Sequence, residues 1–280
     1  MTLSRSGAWS RAGWPTLAAR GKGVGEVALG KPVESGAAWE YAPDVQVAFV
    51  GADGVGQRGS LVRFWDVPFE RAAPVRKFIA FKGQKNFTGD YWAASSGDLV
   101  GYESWVERDA AMALDFDPAV VALASQPFSL AWWDGERDRQ HTPDYFARLA
   151  DGTGVVVDVR PENLVDEEAA EVFAFTRRVC ATVGWKFRLV GDLGQPFQAN
   201  LRWLARYRHR RCHRGPVAGL LREVFAEPRR LFAGADRLGD REAVLPTLYH
   251  LLWKHELTAD LVSTPLTGGT VVGLGAGRAS

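Results

Sequence analysis

HTPDYFARLADGTGVVVDVR, residues 141–160, is the stretch that decides how this chain is read. Two apolar runs, 144–149 and 154–160, are separated by Asp151-Gly152-Thr153-Gly154. Short runs joined by a glycine-bearing connection read as an antiparallel hairpin, with glycine supplying the turn. The hairpin begins at Asp144, after Pro143, and Asp158 falls near the end of its second strand, in Val157-Asp158-Val159-Arg160. Pairing of the two strands brings Asp144 and Asp158 side by side at one end.

Outward from the hairpin, residues 128–133 read as a preceding strand, joined through Asp134-Gly135-Glu136-Arg137-Asp138 by a second hairpin-like connection. Residues 103–114 (ESWVERDAAMAL) read as a helix with Val106, Ala110, Ala113 and Leu114 on one face. Glu103 and Glu107 lie one turn apart on another face. Residues 166–183 form a second helix, with Ala169, Phe173, Thr176, Cys180 and Val183 along one side, acids at its start and Gly184 at its end. Residues 185–190 return to strand. The order α-β-β-β-α-β, with a right-handed crossover into the last strand, predicts a mixed sheet flanked by helices, in the α/β (α+β) class.

The flanks differ in character. Residues 1–44 are rich in Gly, Ala and Ser without a sustained period and read as a poorly ordered arm. VQVAFV (45–50) and SLVRFW (60–65) read as short strands. After Gly194 the chain turns helical: 200–209, which puts Arg202, Arg206 and His209 on one stripe, then 217–225 and 242–253. Residues 257–261 lead into PLTGGTVVGL, and short helices followed by a Gly-Gly hairpin fit a winged helix. The expected organisation is an arm (1–44), a mixed-sheet domain (45–195) and a helical, winged-helix-like region (196–280).

Composition sets bounds on function. With 280 residues, 46% hydrophobic and 24% charged, the chain suits one or two domains and is not disordered as a whole. No apolar run nears the ~20 residues that cross a bilayer, and the N-terminus lacks a secretory apolar core, so no membrane partner is expected. Two cysteines, Cys180 and Cys212, suit a reducing cytosol, and a cytoplasmic location is the expectation. His209-Arg210-Arg211-Cys212-His213 has no second Cys/His pair at finger spacing, which argues against zinc. Net charge is +1, but residues 71–85 hold five Lys/Arg and residues 201–214 six Arg and two His, neither with an acid. Such clusters are what a polyanion selects, although a solvated basic face is the plainer reading. Lys82, Lys85, Arg202, Arg206 and Arg210 are the candidate phosphate contacts, while Trp203 reads as core packing.

Three acids carry the candidate chemistry: Glu107 on the first helix, Asp144 and Asp158 on the hairpin. A helix packed on the sheet can deliver Glu107 to the hairpin end. Clustered carboxylates repel until a hard cation cancels their charge, and oxygen donors suit Mg²⁺ or Mn²⁺. Such a metal yields hydroxide from water and holds phosphate oxygens, with the Arg160 cation beside it. The plainer alternative is a turn proline, a capping aspartate and a salt-bridged Asp158. No organic cofactor is expected.

FKGQKNFTGDYW (81–92), VGYESWVERDAAMALDFDPAVVALASQPFSLAW (100–132), HTPDYFARLADG (141–152), VVVDVRPENL (155–164) and GWKFRLVG (184–191) carry a family resemblance. On these stretches residues 81–193 resemble the TnsA-type endonuclease subunits of heteromeric transposases, actinobacterial branch, within the restriction-endonuclease-like PD-(D/E)xK superfamily. The resemblance extends through NLRWLARYRHRRC and LPTLYHLLWKHELTADLVSTPLT. It implies a restriction-endonuclease-like αβββαβ core in which Glu107 is the helix carboxylate, Asp144 the central metal ligand, and Asp158 and the Val159 carbonyl further ligands. Glu103 is then supporting, and Gln126 either fixes the active-site loop or caps a turn. Arg160 stands where the motif has lysine; arginine holds phosphate but cannot act as a base. Lys186 on the next strand is the alternative amine. The implied activity is Mg²⁺- or Mn²⁺-dependent nicking of double-stranded DNA at the 5′ transposon ends, beside a DDE-type transposase that joins the 3′ ends. The alternatives are a catalytically weakened DNA-binding or scaffold subunit of that complex, or a stand-alone restriction or repair nuclease.

Overall fold

A computed structural model of the chain describes residues 44–76 and 87–275. Residues 1–43 of the expected arm, and Lys82 and Lys85, lie outside the described residues. The described residues form a mixed α/β structure with seven α-helices and four sheets.

The N-terminal strands β1 (Gln46–Val50) and β2 (Gly56–Ser60) pair antiparallel. Of residues 60–65, expected as a strand, Ser60 ends β2 and Leu61–Phe64 instead make a single helical turn, α1. Leu61 is buried while Val62 and Trp65 are exposed, so the segment has no alternating face to give a sheet. β3 (Gly89–Ala93) and β4 (Asp98–Tyr102) form a hairpin ahead of α2 (Trp105–Phe116). Then follow β5 (Val120–Ser125), β6 (Phe128–Trp133), β7 (Asp138–His141), β8 (Tyr145–Leu149) and β9 (Gly154–Val159). α3 (Glu167–Thr182) crosses to β10 (Lys186–Val190), which pairs parallel to β9.

The central sheet runs β10-β9-β8-β5, antiparallel except for the β9/β10 pair. The α-β-β-β-α-β order is therefore present, but its first strand is Val120–Ser125 rather than 128–133. β6 leaves for a second sheet, β2-β1-β6-β7, and its hairpin partner is the polar strand β7, not β8. The divergence occurs at Gln126-Pro127: Gln126 takes φ 44°, and its amide bonds the Asp144 carbonyl at 2.9 Å, closing the β5/β8 pair as β6 turns away.

Alternation along the central strands feeds two cores. Tyr145, Ala147, Val155 and Val157 face α2, while Phe146 and Val156 face the second sheet and α3. On the latter side Phe69 is fully buried, with the rings of Phe49, Phe128, Phe146 and Trp185 centred 4.7–5.9 Å away. Burying each such ring is worth about 1.5–3 kcal/mol. The expected α3 face, Ala169, Phe173, Thr176, Cys180 and Val183, is buried here. Asp166 caps this helix by accepting from the Ala169 amide at 2.8 Å.

The C-terminal part comprises α4 (Phe197–Leu204), α5 (Gly215–Val224), β11 (Arg229–Arg230), α6 (Leu231–Ala235), α7 (Arg241–Trp253), β12 (Leu257–Ala259) and β13 (Val271–Leu274). The strands form a small antiparallel sheet, β11-β13-β12. The apolar core does not break at residue 195: Phe116 of α2 packs against Phe197 and Trp253. Among the described residues no helix is long and apolar enough to cross a membrane.

Candidate active site

The register Tyr145↔Val157 between β8 and β9, continued by one residue, sets Asp144 opposite Asp158. The Val159 amide donates to Asp144 Oδ2 at 2.7 Å, so the aspartate is fixed to the end of the neighbouring strand. Burial pushes the Asp144 carboxyl well above the usual carboxylate range, and the charges of Asp158 and Glu107 push it the same way. The Val159 amide and the Arg76 guanidinium work in the opposite direction. Asp144 thus feels both of the other predicted acids.

Glu107 occupies the first turn of α2 because Ser104-Trp105-Val106-Glu107 forms a capping arrangement. Ser104 Oγ accepts from the Glu107 amide at 3.2 Å and donates to Glu107 Oε1 at 2.8 Å. The Glu103 amide donates to Glu107 Oε2 at 2.7 Å. Burial raises the Glu107 pKa, aided by the Glu103 charge, against the two bonds that favour its ionised form. The buried Tyr145 hydroxyl lies 3.2 Å from both the Gly101 and the Glu107 carbonyl oxygens, tying the start of α2 to the head of β8.

Asp158 is 2% exposed, and His141 Nε2 lies 2.9 Å from its Oδ2. Val157 faces α2, so the next residue faces the other way, toward His141 on β7 and Cys180 on α3. The Cys180 thiol is pushed up by burial first and by the Asp158 charge second. Glu107 and Asp158 therefore approach Asp144 from opposite faces of the sheet. Among the described residues no three His, Cys, Asp or Glu side chains stand close enough to hold a metal ion together. Glu107 is engaged by its own helix cap and Asp158 by His141.

Arg160 follows β9 directly, and its amide bonds the Val190 carbonyl at 2.9 Å. Its guanidinium is exposed and makes no hydrogen bond or ion pair among the described residues. Lys186 pairs with Val155, whereas Asp158 pairs with Leu189, so Lys186 stands at the opposite end of the sheet. It faces the Asp151 turn, where its charge adds to the Thr153 amide bond that lowers the Asp151 pKa. As an alternative amine for this site Lys186 is out of place.

Gln126 does fix the loop beside the site. Its side chain, 1% exposed, accepts from Arg76 Nε at 2.9 Å and donates to Glu103 Oε2 at 3.1 Å. Arg76 also pairs with Glu103. Sequence reasoning missed three members of this neighbourhood. Ser104 was legible from Ser-x-x-Glu, and His141 sits three residues before Asp144 in the deciding stretch. Arg76 has no local signal, because its partners are 27 and 50 residues away.

The predicted phosphate contacts divide. Arg202 is a correction: it forks onto the buried Asp109 carboxylate at 3.0 and 2.5 Å, joining α4 to α2. Arg206 is exposed with its guanidinium 5.1 Å from the Trp203 ring centre, and Arg210 is exposed. Trp203, expected in the core, is 40% exposed and packs edgewise on Tyr249.

The sequence matches no protein-family model and no curated protein. What the site can do therefore rests on its chemistry.

Proposed function

We propose that the protein is a metal-dependent DNA endonuclease, a TnsA-like subunit of a heteromeric transposase that cuts phosphodiester bonds at 5′ transposon ends. The observation that carries this reading is Asp144: a partly buried carboxylate at a strand start, opposite Asp158 and charge-coupled to Glu107 on the preceding helix. A carboxylate whose pKa is raised by burial and by neighbouring like charges, as that of Asp144 is, is the condition a divalent cation relieves. An all-oxygen set of Asp144, Glu107 and the Val159 carbonyl fits Mg²⁺ or Mn²⁺ better than zinc. Asp158 joins the set only when His141 releases it. The bound cation would supply hydroxide at neutral pH and charge compensation at phosphate. Of the chain's own groups, Arg160 is free to hold a phosphate oxygen, and Gln126 with Arg76 keeps the strand end in place. The order α2–β5–β8–β9–α3–β10 supports a restriction-endonuclease-like core, and α5–α7 with β11–β13 supports a winged helix.

A second reading is favoured by two observations, the His141–Asp158 contact and the arginine in the lysine position. In it the protein is a DNA-binding or scaffold subunit of the same complex with a weakened centre. The deciding experiment incubates purified protein with Mg²⁺ or Mn²⁺, the cognate DDE-type transposase and a plasmid bearing transposon ends. Nicking by wild type that Asp144→Ala abolishes is expected. Equal nicking by both removes the endonuclease, and inert protein of both kinds that still assembles on the ends favours the scaffold.

A further inference from the structure

A cleft of about 270 Å³ opens between the β3–β4 hairpin and the C-terminal helices, apart from the carboxylates at the β8–β9 end. Trp92, Arg208, His209, Arg210, His250 and Lys254 line it, and no acid does among the described residues. Arg208 builds the wall: its Nε donates to the Trp92 carbonyl at 2.7 Å, and its guanidinium lies 4.4 Å from the Tyr91 ring centre. The Trp92 and His209 rings stand 4.9 Å apart, tilted by 37°. His209 Nδ1 accepts from the Arg211 amide at 3.0 Å, which leaves the proton on Nε2 as a donor. His250 Nδ1 donates to the Tyr207 carbonyl at 2.7 Å.

Arg210 and Lys254 have no carboxylate partner among the described residues. That sets them apart from Arg137, Arg139, Arg202, Arg222 and Arg241, each paired with an acid. Lys254 also borders a neighbouring cleft holding Asp115 and Asp117. Those acids are already engaged: Asp115 accepts from Tyr91 and from the Ala94 and Ser95 amides, and Asp117 lies 3.5 Å from Arg188. Uncompensated cations and an N–H donor beside an aromatic wall make a seat for phosphate, since each ionic contact releases counterions from a polyanion.

We propose that this cleft binds the phosphodiester backbone of duplex DNA, with Lys254, Arg210 and the His209 N–H on phosphate oxygens and the Trp92 ring against the sugar. The choice of DNA over other phosphate esters rests on the endonuclease reading; the phosphate chemistry of the cleft does not. The test uses the full chain carrying Asp144→Asn, in EDTA, with a labelled DNA duplex titrated over a range of salt. Lys254→Gln with Arg210→Gln is expected to weaken binding at least about tenfold and to flatten the salt slope by about two contacts. Lys186→Gln, at the far end of the sheet, is expected to leave both unchanged. Unchanged affinity and slope in the double variant would overturn the proposal, as would an equal loss in Lys186→Gln. So would Lys254-dependent binding of free dAMP with no effect on the duplex. Because binding is read without metal, a cleft-dependent loss alongside wild type that never nicks upholds this inference and removes the endonuclease.

Discussion

His141 Nε2 lies 2.9 Å from Asp158 Oδ2, and this contact holds the second hairpin acid on the α3 side of the sheet while Glu107 stands on the α2 side. Removing the imidazole leaves a buried carboxylate without its side-chain partner, at a cost of about 1–3 kcal/mol. His141→Ala is therefore expected to melt lower than wild type in EDTA and to recover more stability than wild type when Mn²⁺ is added. Thermal melts with and without the metal check this. Equal Mn²⁺ effects in the two proteins would mean that His141 does not restrain Asp158.

Asp144→Asn gives a prediction with a definite sign. The folded-state pKa of Asp144 is raised, so between the ordinary carboxylate value and the raised one the native state holds a proton that the unfolded chain has lost. Native stability then falls as pH rises through that window, and the full penalty is present above it. Asparagine removes the charge and keeps an oxygen for the Val159 amide. The variant is expected to be more stable than wild type near neutral pH, with the gain vanishing as pH falls below the ordinary carboxylate value of about 4. Urea midpoints at the two pH values measure it.

Arg202→Ala separates stability from DNA binding. Asp109 is 2% exposed and loses its forked partner, although Gln198 Nε2 at 2.9 Å and Arg108 at 3.1 Å remain. Since Arg202 is itself 42% exposed, the loss is expected to be about 1–2 kcal/mol, below that of a fully buried pair. The salt dependence of DNA binding should stay as in wild type. A flatter slope without loss of stability would return Arg202 to the phosphate contacts.

Arg160→Lys changes one exposed side chain that makes no hydrogen bond or ion pair among the described residues, so stability should shift by less than about 0.5 kcal/mol. Under the endonuclease reading nicking rises, and its pH profile gains a basic limb from the ammonium group. Nicking at the parent rate and with the parent profile would show that the group at this position does not enter the chemistry.

How far the sequence carried follows from which contacts are local. The hairpin at 141–160, the 166–183 helix with its buried face and the strand after Gly184 follow from periodicity and turn glycines. Asp144 and Asp158 are correctly set side by side for the same reason. Which face each acid presents was not legible. It depends on β6 leaving at Gln126 for the second sheet and returning as β7, which brings His141 onto Asp158. β7 reads Asp-Arg-Gln-His, with no apolar residue, and so resembles a turn until β6 pairs with it. β5 was passed over because Val-Val-Ala-Leu-Ala-Ser lacks alternation, being buried over most of its length. Arg202 looked like part of a basic stripe, because its buried partner lies 93 residues away.

Calorimetric titration of Mn²⁺ into wild type and Asp144→Asn tests the central claim most directly, since neither DNA nor partner is needed. Saturable binding by wild type that the asparagine variant loses is the predicted result. Identical titrations of the two proteins, or no saturable binding by wild type, would contradict a metal centre built on Asp144.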